Sequence, residues 1–455
     1  MRTEKDFIGE RKLPDGAAYG IETARAVDNF PVSGRTVKKE LIYAIAMVKK
    51  AAAAANGDLG IIERKKADAV IAALDDILAG KADEWFLTDA LQGGAGTSTN
   101  INVNEVAANL ALKKLGHEFG EYDIIDPIDV VNRGQSTNDV YPTALRVAAI
   151  GLVRELAEEC AKLQTSLQKR EAEFADVVKQ GRTELMDALP VTLGQEFGAY
   201  AQAIGRDRWR IYKVEERLRQ MNIGGTATGS GMNADRKFIY AVTENLRQLT
   251  GYGLARAEYP MDLTQNNDVF CEVSGLLKSL AVNLIKIAQD IRLMASGPVS
   301  GLFEIALEPL QAGSSIMPGK VNPVVPEMTI ETSIRVIAND TAITMAAAAG
   351  NLELNAFMPL IADSLIESLE LLINTAKIFR KRCIDTLRPA NTVPRLNLTM
   401  AYATALSPFI GYKKAAALAH LFTCGDAVRK ALGDVTEDEE KAIAAVERME
   451  KHRQA

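Results

Sequence analysis

EVSGLLKSLAVNLIKIAQDIRLM, residues 272–294, places apolar side chains at helical spacing along its whole length and contains few helix-breaking residues. Four further stretches show the same pattern, at about residues 143–180, 193–221, 327–347 and 357–383. Aromatic residues make up only 6% of the chain while Ala and Leu are abundant, which favours helices packed on helices over sheets. Five long amphipathic helices are typical of a bundle, so the sequence predicts an all-α fold with a central long-helix bundle.

The sequence on either side of these helices predicts shorter elements. Residues 1–30 contain turn formers and are expected to form an irregular arm. Two shorter helices are predicted at about residues 40–55 and 61–78, because each is followed by glycine-containing stop signals. Alternating β-branched runs are few, so little strand is expected. The tail should end in a charged helix at about residues 437–452.

Length and composition restrict the class of protein. At 455 residues the chain is long enough for two or three domains. A net charge of -6 without a basic stripe argues against a nucleic-acid partner. No apolar run of about 18 residues that would span a membrane is present, and the charged start does not look like a secretory signal. Four widely spaced cysteines without a CxxC pair favour reduced thiols in a cytoplasmic protein.

Polar, glycine-bearing segments connect the predicted helices and are candidates for ligand-facing loops. They are GGAGTSTNINVN (93–104), GRTELMDALP (181–190), GGTATGSGMN (224–233), TQNND (264–268) and GSSIMPGKVNP (313–323).

The last of these segments has the chemistry of an anion-binding loop. Gly313 and Gly319 allow backbone N–H groups to turn inward and form a concavity that attracts anions. Lys320 adds a cation, and Asn322 adds a directed amide. An apolar pair in the middle of the segment would shield such a site from water. The alternative is a surface loop that carries a Gly-Lys pair by chance.

GSSIMPGKVNP resembles the signature of the aspartase/fumarase superfamily at every position. Other segments resemble the family in order and spacing, namely EKDFIGE, AVDNFPVSG, GGAGTSTNINVNE, QSTNDVYPT, GRTELMDALPVTLGQEF and ELNAFMP. The resemblance therefore extends through most of the chain.

This resemblance implies an all-helical chain of three domains, at residues 1–141, 142–392 and 393–455. It implies a homotetramer in which the long helices of four subunits form one bundle and each active site is built from three subunits. No cofactor and no metal ligand set is implied, although activation by Mg²⁺ is left open.

The resemblance also implies an elimination reaction. A base takes a proton from the carbon beside a carboxylate, a dianionic aci-carboxylate forms, and the leaving group departs to give fumarate. Ser314 matches the catalytic base. A serine is a weak base unless its alkoxide is stabilised, and the loop amides of Ile316 and Met317 would supply that stabilisation.

The other matched positions would hold the substrate. Donors to the carboxylate that becomes the aci-form are Thr97, Ser136, Thr137 and Ser315. The residues that match the family's binding groups for the other carboxylate are Thr183, Lys320 and Asn322. The residues expected near the amino group are Thr97 and Asn138. Preorganised hydroxyl and amide donors suit this task because charge accumulates on oxygen. Helix capping is the alternative role for any single Ser or Thr.

Glu184 departs from the family pattern at a position that bears on the leaving group. Fumarases carry His here, and aspartases carry His or Gln. Hydroxide needs a proton donor, so the loss of the imidazole disfavours a hydratase. An ammonium group carries its own proton and would gain from a nearby carboxylate. Since GGAGT at residues 93–97 and the threonine of QSTND also resemble aspartases, elimination of ammonia from L-aspartate is favoured.

Glu184 also affects the expected role of Glu327, which matches the acidic residue that pairs with the usual His. Two carboxylates in one pocket do not both ionise readily, so we expect Glu184 and Glu327 to form a coupled pair at the leaving-group site. Binding of Mg²⁺ or selection of a bulkier amine is the alternative. A solvated Glu184 that points away from the site is a further alternative.

Three other functions stay open. The first is a class II fumarase, and the second is a lyase that acts on another amine or a substituted aspartate. The third is a silent structural protein, against which intact Ser314, Lys320 and Asn322 argue. No strand-GxGxxG-helix context is present for a dinucleotide. The tail lacks the family's usual Asn-Pro-His and has Ser407-Pro408-Phe409 instead, so no catalytic role is expected there.

Overall fold

The structure is a computed structural model that describes residues 1–392 and 397–454. The chain divides into two compact units. Unit 1 comprises residues 1–157, 209–281 and 334–373, and unit 2 comprises residues 158–208, 282–333 and 374–455. The three-domain division implied by the resemblance stays a prediction, and residues 393–396, where its third domain would begin, lie outside the described residues.

Helices account for most of the described chain, so the predicted all-α architecture is confirmed. The helices are α1 (Ile21–Asn29), α2 (Lys39–Asp58), α3 (Arg64–Leu78), α4 (Thr97–Lys114), α5 (Thr137–Glu173), α6 (Leu193–Leu218), α7 (Arg236–Thr250), α8 (Pro260–Gln265), α9 (Asp268–Met294), α10 (Val324–Ala348), α11 (Met358–Phe379), α12 (Thr399–Ile410), α13 (Tyr412–Leu418), α14 (Gly425–Leu432) and α15 (Glu437–Gln454).

The strands are short and pair two by two. They are β1 (Arg2–Lys5) with β2 (Glu10–Leu13), β3 (Val178–Thr183) with β4 (Met186–Thr192), β5 (Gln220–Met221) with β6 (Ala255–Arg256), and β7 (Ile305–Ala306) with β8 (Arg388–Pro389). The β5–β6 pair is parallel and the others are antiparallel.

Helix α9 buries one continuous stripe of side chains. The stripe consists of Phe270, Val273, Leu277, Leu280, Leu284, Ile287 and Ile291, at alternating spacings of three and four. This is the repeat that coiled coils and helical bundles use. Each such side chain contributes about 1.5–3 kcal/mol when it is removed from water. A polar residue in the stripe would therefore destabilise the helix strongly.

The predicted irregular arm at residues 1–30 is wrong, because this segment folds into β1, β2 and α1. Helix α1 has no side-chain cap of its own, and its N-cap residue is Gly20. The buried carboxylate of Glu105 in α4 instead accepts the N–H groups of Gly20, Glu22 and Thr23, at 2.8, 2.9 and 3.1 Å. A cap supplied from a distant helix leaves no local sequence signal.

Helix α5 begins at Thr137, ahead of the predicted start at about residue 143, and therefore contains Pro142. Proline lacks the N–H that would bond the carbonyl four residues earlier, which belongs to Asn138. The Nδ2 of Asn222 donates to that carbonyl at 3.0 Å. A tertiary contact therefore satisfies the oxygen that Pro142 leaves free, and the QSTND segment becomes the first turn of a long helix.

Within residues 1–392 and 397–454, no helix is long and apolar enough to cross a membrane. The four cysteines are free thiols, with Cys160 and Cys383 buried.

Candidate active site

The signature segment 313–323 forms a closed loop between β7 and α10 in unit 2. The N–H of Gly313 donates to the carbonyl of Lys320 at 2.7 Å, and the Nδ2 of Asn322 donates to the carbonyl of Gly313 at 2.7 Å. A Cβ added at Gly313 would lie 2.6 Å from the Lys320 carbonyl oxygen. Only glycine fits at position 313, where the two ends of the loop approach each other. The spacing of Gly313, Lys320 and Asn322 therefore follows from the closure of the loop.

Ser314 follows Gly313 directly, and its Oγ accepts two backbone hydrogen bonds. The N–H of Ile316 donates to Ser314 Oγ at 3.2 Å, and the N–H of Met317 donates at 2.9 Å. Both bonds become stronger when the acceptor carries charge, so the two amides stabilise an alkoxide more than a hydroxyl. The neighbouring side chains of Ser315, Ile316 and Met317 are exposed.

In unit 1, the first turn of α5 presents Ser136, Thr137 and Asn138. Ser136 is its N-cap, since the Oγ accepts the N–H of Asn138 at 3.2 Å. The carboxylate of Asp139 accepts the N–H of Ser136 at 3.0 Å, which completes a capping box. Capping, the alternative role for Ser136, is therefore present. It fixes the serine beside the positive end of the helix, where an anion is favoured.

Helix α4 brings Thr97 to the same region of unit 1. Thr97 is its first residue and is exposed, and Gly96 before it has φ 91°. A Cβ at Gly96 would overlap the ring of Tyr141 in α5, so glycine lets the two helices approach closely. One turn further, the Nδ2 of Asn100 donates to Thr137 Oγ1 at 3.0 Å. The amino ends of α4 and α5 thus lie side by side, and both favour an anion.

Two buried ionisable residues that attract each other electrostatically support these donors. Lys49 in α2 and Asp139 in α5 are fully buried. Burial raises the pKa of Asp139 to about 7, although its backbone hydrogen bonds oppose this shift. Burial likewise lowers the pKa of Lys49 to about 7, against the attraction of Asp139. Neither residue was predicted from the sequence, since an isolated lysine within a helical pattern gives no signal of its burial.

Thr183 and Glu184 lie on the β3–β4 hairpin of unit 2, in a segment that the sequence predicted to be a polar connector and a candidate ligand-facing loop. Thr183 pairs with Met186, so Glu184 and Leu185 form a two-residue turn. Their φ angles are 54° and 65°, values that side-chain-bearing residues adopt at a cost of about 1–3 kcal/mol each. Asn-Gly is usual in such a turn, and its absence concealed the hairpin. Strain of this kind is commonly retained at functional positions.

Buried charges fix the base of this hairpin. Lys179 and Arg182 on β3 each lie 2.8 Å from the carboxylate of Glu304, which is fully buried. Lys179 also contacts Glu196 at 2.8 Å. Removing one member of such a network leaves an uncompensated buried charge. Buried ion pairs therefore hold the strand that leads into the strained turn in place.

Unit 2 also contains an open cavity of about 990 Å³. Lys320, Asn322 and Glu327 line it, together with Arg292. The Nε of Arg292 lies 3.5 Å from Glu327 Oε1, so a cation faces this carboxylate. Glu184 is exposed. The coupled pair of Glu184 and Glu327 stays a prediction, and Arg292 is a neighbour that the sequence did not suggest.

The proposed site residues therefore form groups within each unit. Unit 1 brings together Thr97, Ser136, Thr137 and Asn138, and unit 2 contains Thr183, Glu184, Ser314, Ser315, Ile316, Met317, Lys320, Asn322 and Glu327. Within the described residues, no group of three or more His, Cys, Asp or Glu side chains is placed to hold a metal ion.

Known proteins resemble this chain in sequence and backbone. The profile of a family described as lyase matches residues 9–338. An aspartate ammonia-lyase from Bacillus sp. is 43% identical over 433 residues, which cover 94% of this chain and 92% of the relative.

Two solved structures are similar over the whole chain. The fumarate lyase:delta crystallin from Brucella melitensis, bound to cobalt, has a TM-score of 0.90 and 41% identity, and covers 100% of this chain and 99% of its own. The recombinant class II fumarase from Schistosoma mansoni has a TM-score of 0.93 at 31% identity, with 99% of each chain covered. The fumarase thus shares the backbone closely but is less similar in sequence than the Bacillus relative.

Proposed function

The chain belongs to the aspartase/fumarase family of lyases, and from this membership we propose that it is an aspartate ammonia-lyase, which converts L-aspartate reversibly into fumarate and ammonia. The observation that carries the proposal is the pair of backbone N–H groups that donate to Ser314 Oγ. A residue whose charged form is stabilised in this way suits the removal of a carbon-bound proton.

The reaction follows from these groups. The Ser314 alkoxide takes a proton from C3 of L-aspartate, and the electron pair moves onto the adjacent carboxylate to give a dianion. When this pair returns, the C2–C3 double bond forms, the C2–N bond breaks and ammonia departs. The proton remains on Ser314 Oγ until it is lost to solvent. The electrons of the C2–N bond stay on nitrogen, so the ammonium group of the substrate departs as neutral ammonia.

Charge develops on oxygen during this reaction, and hydrogen-bond donors must meet it. The adjacent amino ends of α4 and α5 supply hydroxyls from Thr97, Ser136 and Thr137 together with two helix dipoles. We propose that the hydroxyl of Ser315 is a further donor to the carboxylate that becomes the aci-form. We assign the carboxylate that keeps its charge to Thr183, Lys320 and Asn322, and the amino group to Thr97 and Asn138.

We propose that the enzyme is a homotetramer in which different copies supply these groups. Support comes from large apolar side chains exposed on the long helices, including Trp209, Tyr212, Val282, Ile334 and Met345. Burial of these side chains against other copies would remove apolar surface from water. We also propose a cytoplasmic location, which the four free cysteines support, and no requirement for a cofactor. Activation by Mg²⁺ would appear as a higher rate after metal is added to the chelator-treated enzyme.

Formation of fumarate, followed by ultraviolet absorbance, tests the activity with L-aspartate and L-malate supplied in parallel. We expect turnover of L-aspartate alone. Turnover of L-malate would assign the chain to the fumarases. Activity on neither substrate would favour a substituted aspartate, and the turn at Glu184 would then be the place to look for the altered specificity.

Glu184 is expected to influence the choice of amine. In the reverse direction, replacing Glu184 with Gln should change the rate of methylamine addition to fumarate relative to ammonia addition by about 3- to 10-fold, the size of one hydrogen bond. The reason is that a carboxylate attracts an ammonium group, whereas an amide of the same shape does not carry the charge. The measurement is kcat/KM for each amine.

Asp187→Asn is a matched control, because Asp187 is an exposed carboxylate on the same hairpin. It should leave the ratio of the two amines unaltered. An unaltered ratio in Glu184→Gln as well would mean that Glu184 is a solvated side chain with no part in selecting the amine.

A further inference from the structure

We propose that Asp139 is a positioning residue, whose carboxylate locks the amino end of α5, with Ser136, Thr137 and Asn138, onto the loop at residues 224–227. The inference rests on the proposed function, because that function makes these three residues donors to the substrate. It also gives a role to the GGTATGSGMN segment, which the proposed reaction leaves without one.

Both oxygens of the Asp139 carboxylate are used. Oδ1 accepts the N–H of Ser136 at 3.0 Å. Oδ2 accepts the N–H of Gly224 at 3.1 Å and that of Thr226 at 2.8 Å. Since Asp139 has no exposed surface, water cannot replace these bonds if they are lost. One buried side chain thus connects the first turn of α5 to a loop that follows it by more than eighty residues.

The loop itself is held in an unfavourable conformation. Thr226 has φ 58°, in the left-handed region that a β-branched residue rarely adopts. The bond from its N–H to Asp139 fixes this conformation. The next residue, Ala227, has a carbonyl that accepts the Nδ2 of Asn138 at 2.8 Å. The strained residue therefore places the carbonyl that orients the Asn138 side chain, which is a reason for the fold to retain the strain.

A buried lysine of α2, Lys49, attracts Asp139 electrostatically. The Nζ of Lys49 donates to Asn132 Oδ1 at 3.1 Å and to Gln135 Oε1 at 3.4 Å, so it also fixes the turn that precedes Ser136. A carboxylate alone in the first turn would cancel part of the positive partial charge at the amino end of α5, which attracts the anionic substrate. With Lys49 behind it, Asp139 can bind the loop while the helix end still attracts an anion.

Asp139→Asn tests the proposal through two ligands of the whole enzyme. The first is 3-nitropropanoate, whose ionised nitronate is planar and has two formally negative oxygens like an aci-carboxylate, and the second is fumarate, which has ordinary carboxylates. Asparagine keeps the shape but directs an amide NH₂ at backbone N–H groups. We expect the affinity for the nitronate to fall by about tenfold and that for fumarate by less than about twofold, because a nitronate carries a formal negative charge on each of its two oxygens, whereas a carboxylate shares one charge between two.

Asp235→Asn is the matched control. Asp235 caps α7 in the same unit by accepting the N–H of Lys237 at 2.7 Å, and it has no part in the proposed site. Its replacement should leave the ratio of the two affinities unchanged, because asparagine caps a helix about as well as aspartate.

The outcomes separate this proposal from the proposed function. An equal loss of both affinities in Asp139→Asn, or a loss of thermal stability alone, would overturn the positioning role. Failure of the unmodified enzyme to bind either ligand would instead overturn the function on which the proposal rests. If Asp139→Asn does not fold, Asp139→Glu keeps the charge but displaces the oxygens. The same change in ratio is expected for it, and an unchanged ratio would overturn the proposal.

Discussion

Replacing Ser314 with alanine is expected to lower kcat for fumarate formation from L-aspartate by roughly 10²–10⁴-fold, the range that a positioned general base contributes. The affinity for fumarate should change little, because the lost oxygen acts on the proton at C3 and holds neither carboxylate. The measurement is steady-state ultraviolet absorbance for kcat, together with inhibition by fumarate for binding.

The size of this effect follows from the geometry of the loop. A free serine hydroxyl is a weak base at neutral pH, and two backbone N–H groups at 3.2 and 2.9 Å change this by stabilising the alkoxide. The amides belong to the loop backbone and remain in the Ser314→Ala variant. Without an oxygen to stabilise they contribute nothing to proton removal.

Ser300→Ala is the control for this prediction, since Ser300 is an exposed serine on another loop of unit 2. Its kcat should equal that of the unmodified enzyme. If Ser314→Ala retained more than about a tenth of the original kcat, the base would have to be another group, because a general base contributes more than that.

The helices could be predicted because their signal is local. The stretches 193–221, 272–294 and 327–347 correspond to α6, α9 and α10, since the spacing of apolar residues depends only on the helix period. The chemistry of the signature loop was also visible, because Gly313 and Lys320 are neighbours across a short closed loop. The bonds that close it lie between residues fewer than ten positions apart.

The β3–β4 hairpin could not be predicted, because what stabilises it lies elsewhere in the chain. Its turn residues, Glu184 and Leu185, carry no turn signal, and their positive φ angles would be unfavourable in an isolated peptide. The ion pairs that fix the base of the hairpin are made with Glu304, which lies over 120 residues away in the sequence. A local pattern cannot reveal a conformation that a distant carboxylate stabilises.

The supporting residues of the candidate site were missed for the same reason. Asn222 satisfies the carbonyl that Pro142 leaves free, and Asp139 bonds Gly224 and Thr226. From the sequence alone, Asp139 reads as an ordinary acidic residue in the first turn of a helix. The sequence thus indicates the groups that contact the substrate more readily than those that hold them in place.

Replacing Lys320 with methionine is expected to raise KM for L-aspartate by roughly 10- to 100-fold, since a hydrogen bond to a charged group contributes about 1.5–3 kcal/mol. Methionine keeps most of the length of the side chain and removes the ammonium group. The loop should stay closed, because Gly313 donates to the backbone carbonyl of Lys320 and not to its side chain.

The effect should fall on KM more than on kcat, and this separates Lys320 from Ser314. We assign Lys320 to the carboxylate that keeps its charge throughout the reaction. An interaction of equal strength in the ground state and the transition state contributes to binding alone. Lys413→Met, at an exposed lysine of α13, should leave both constants unchanged. A fall in kcat at constant KM would show that Lys320 meets the developing charge instead, and its assignment would then move from the unreactive carboxylate to the aci-carboxylate.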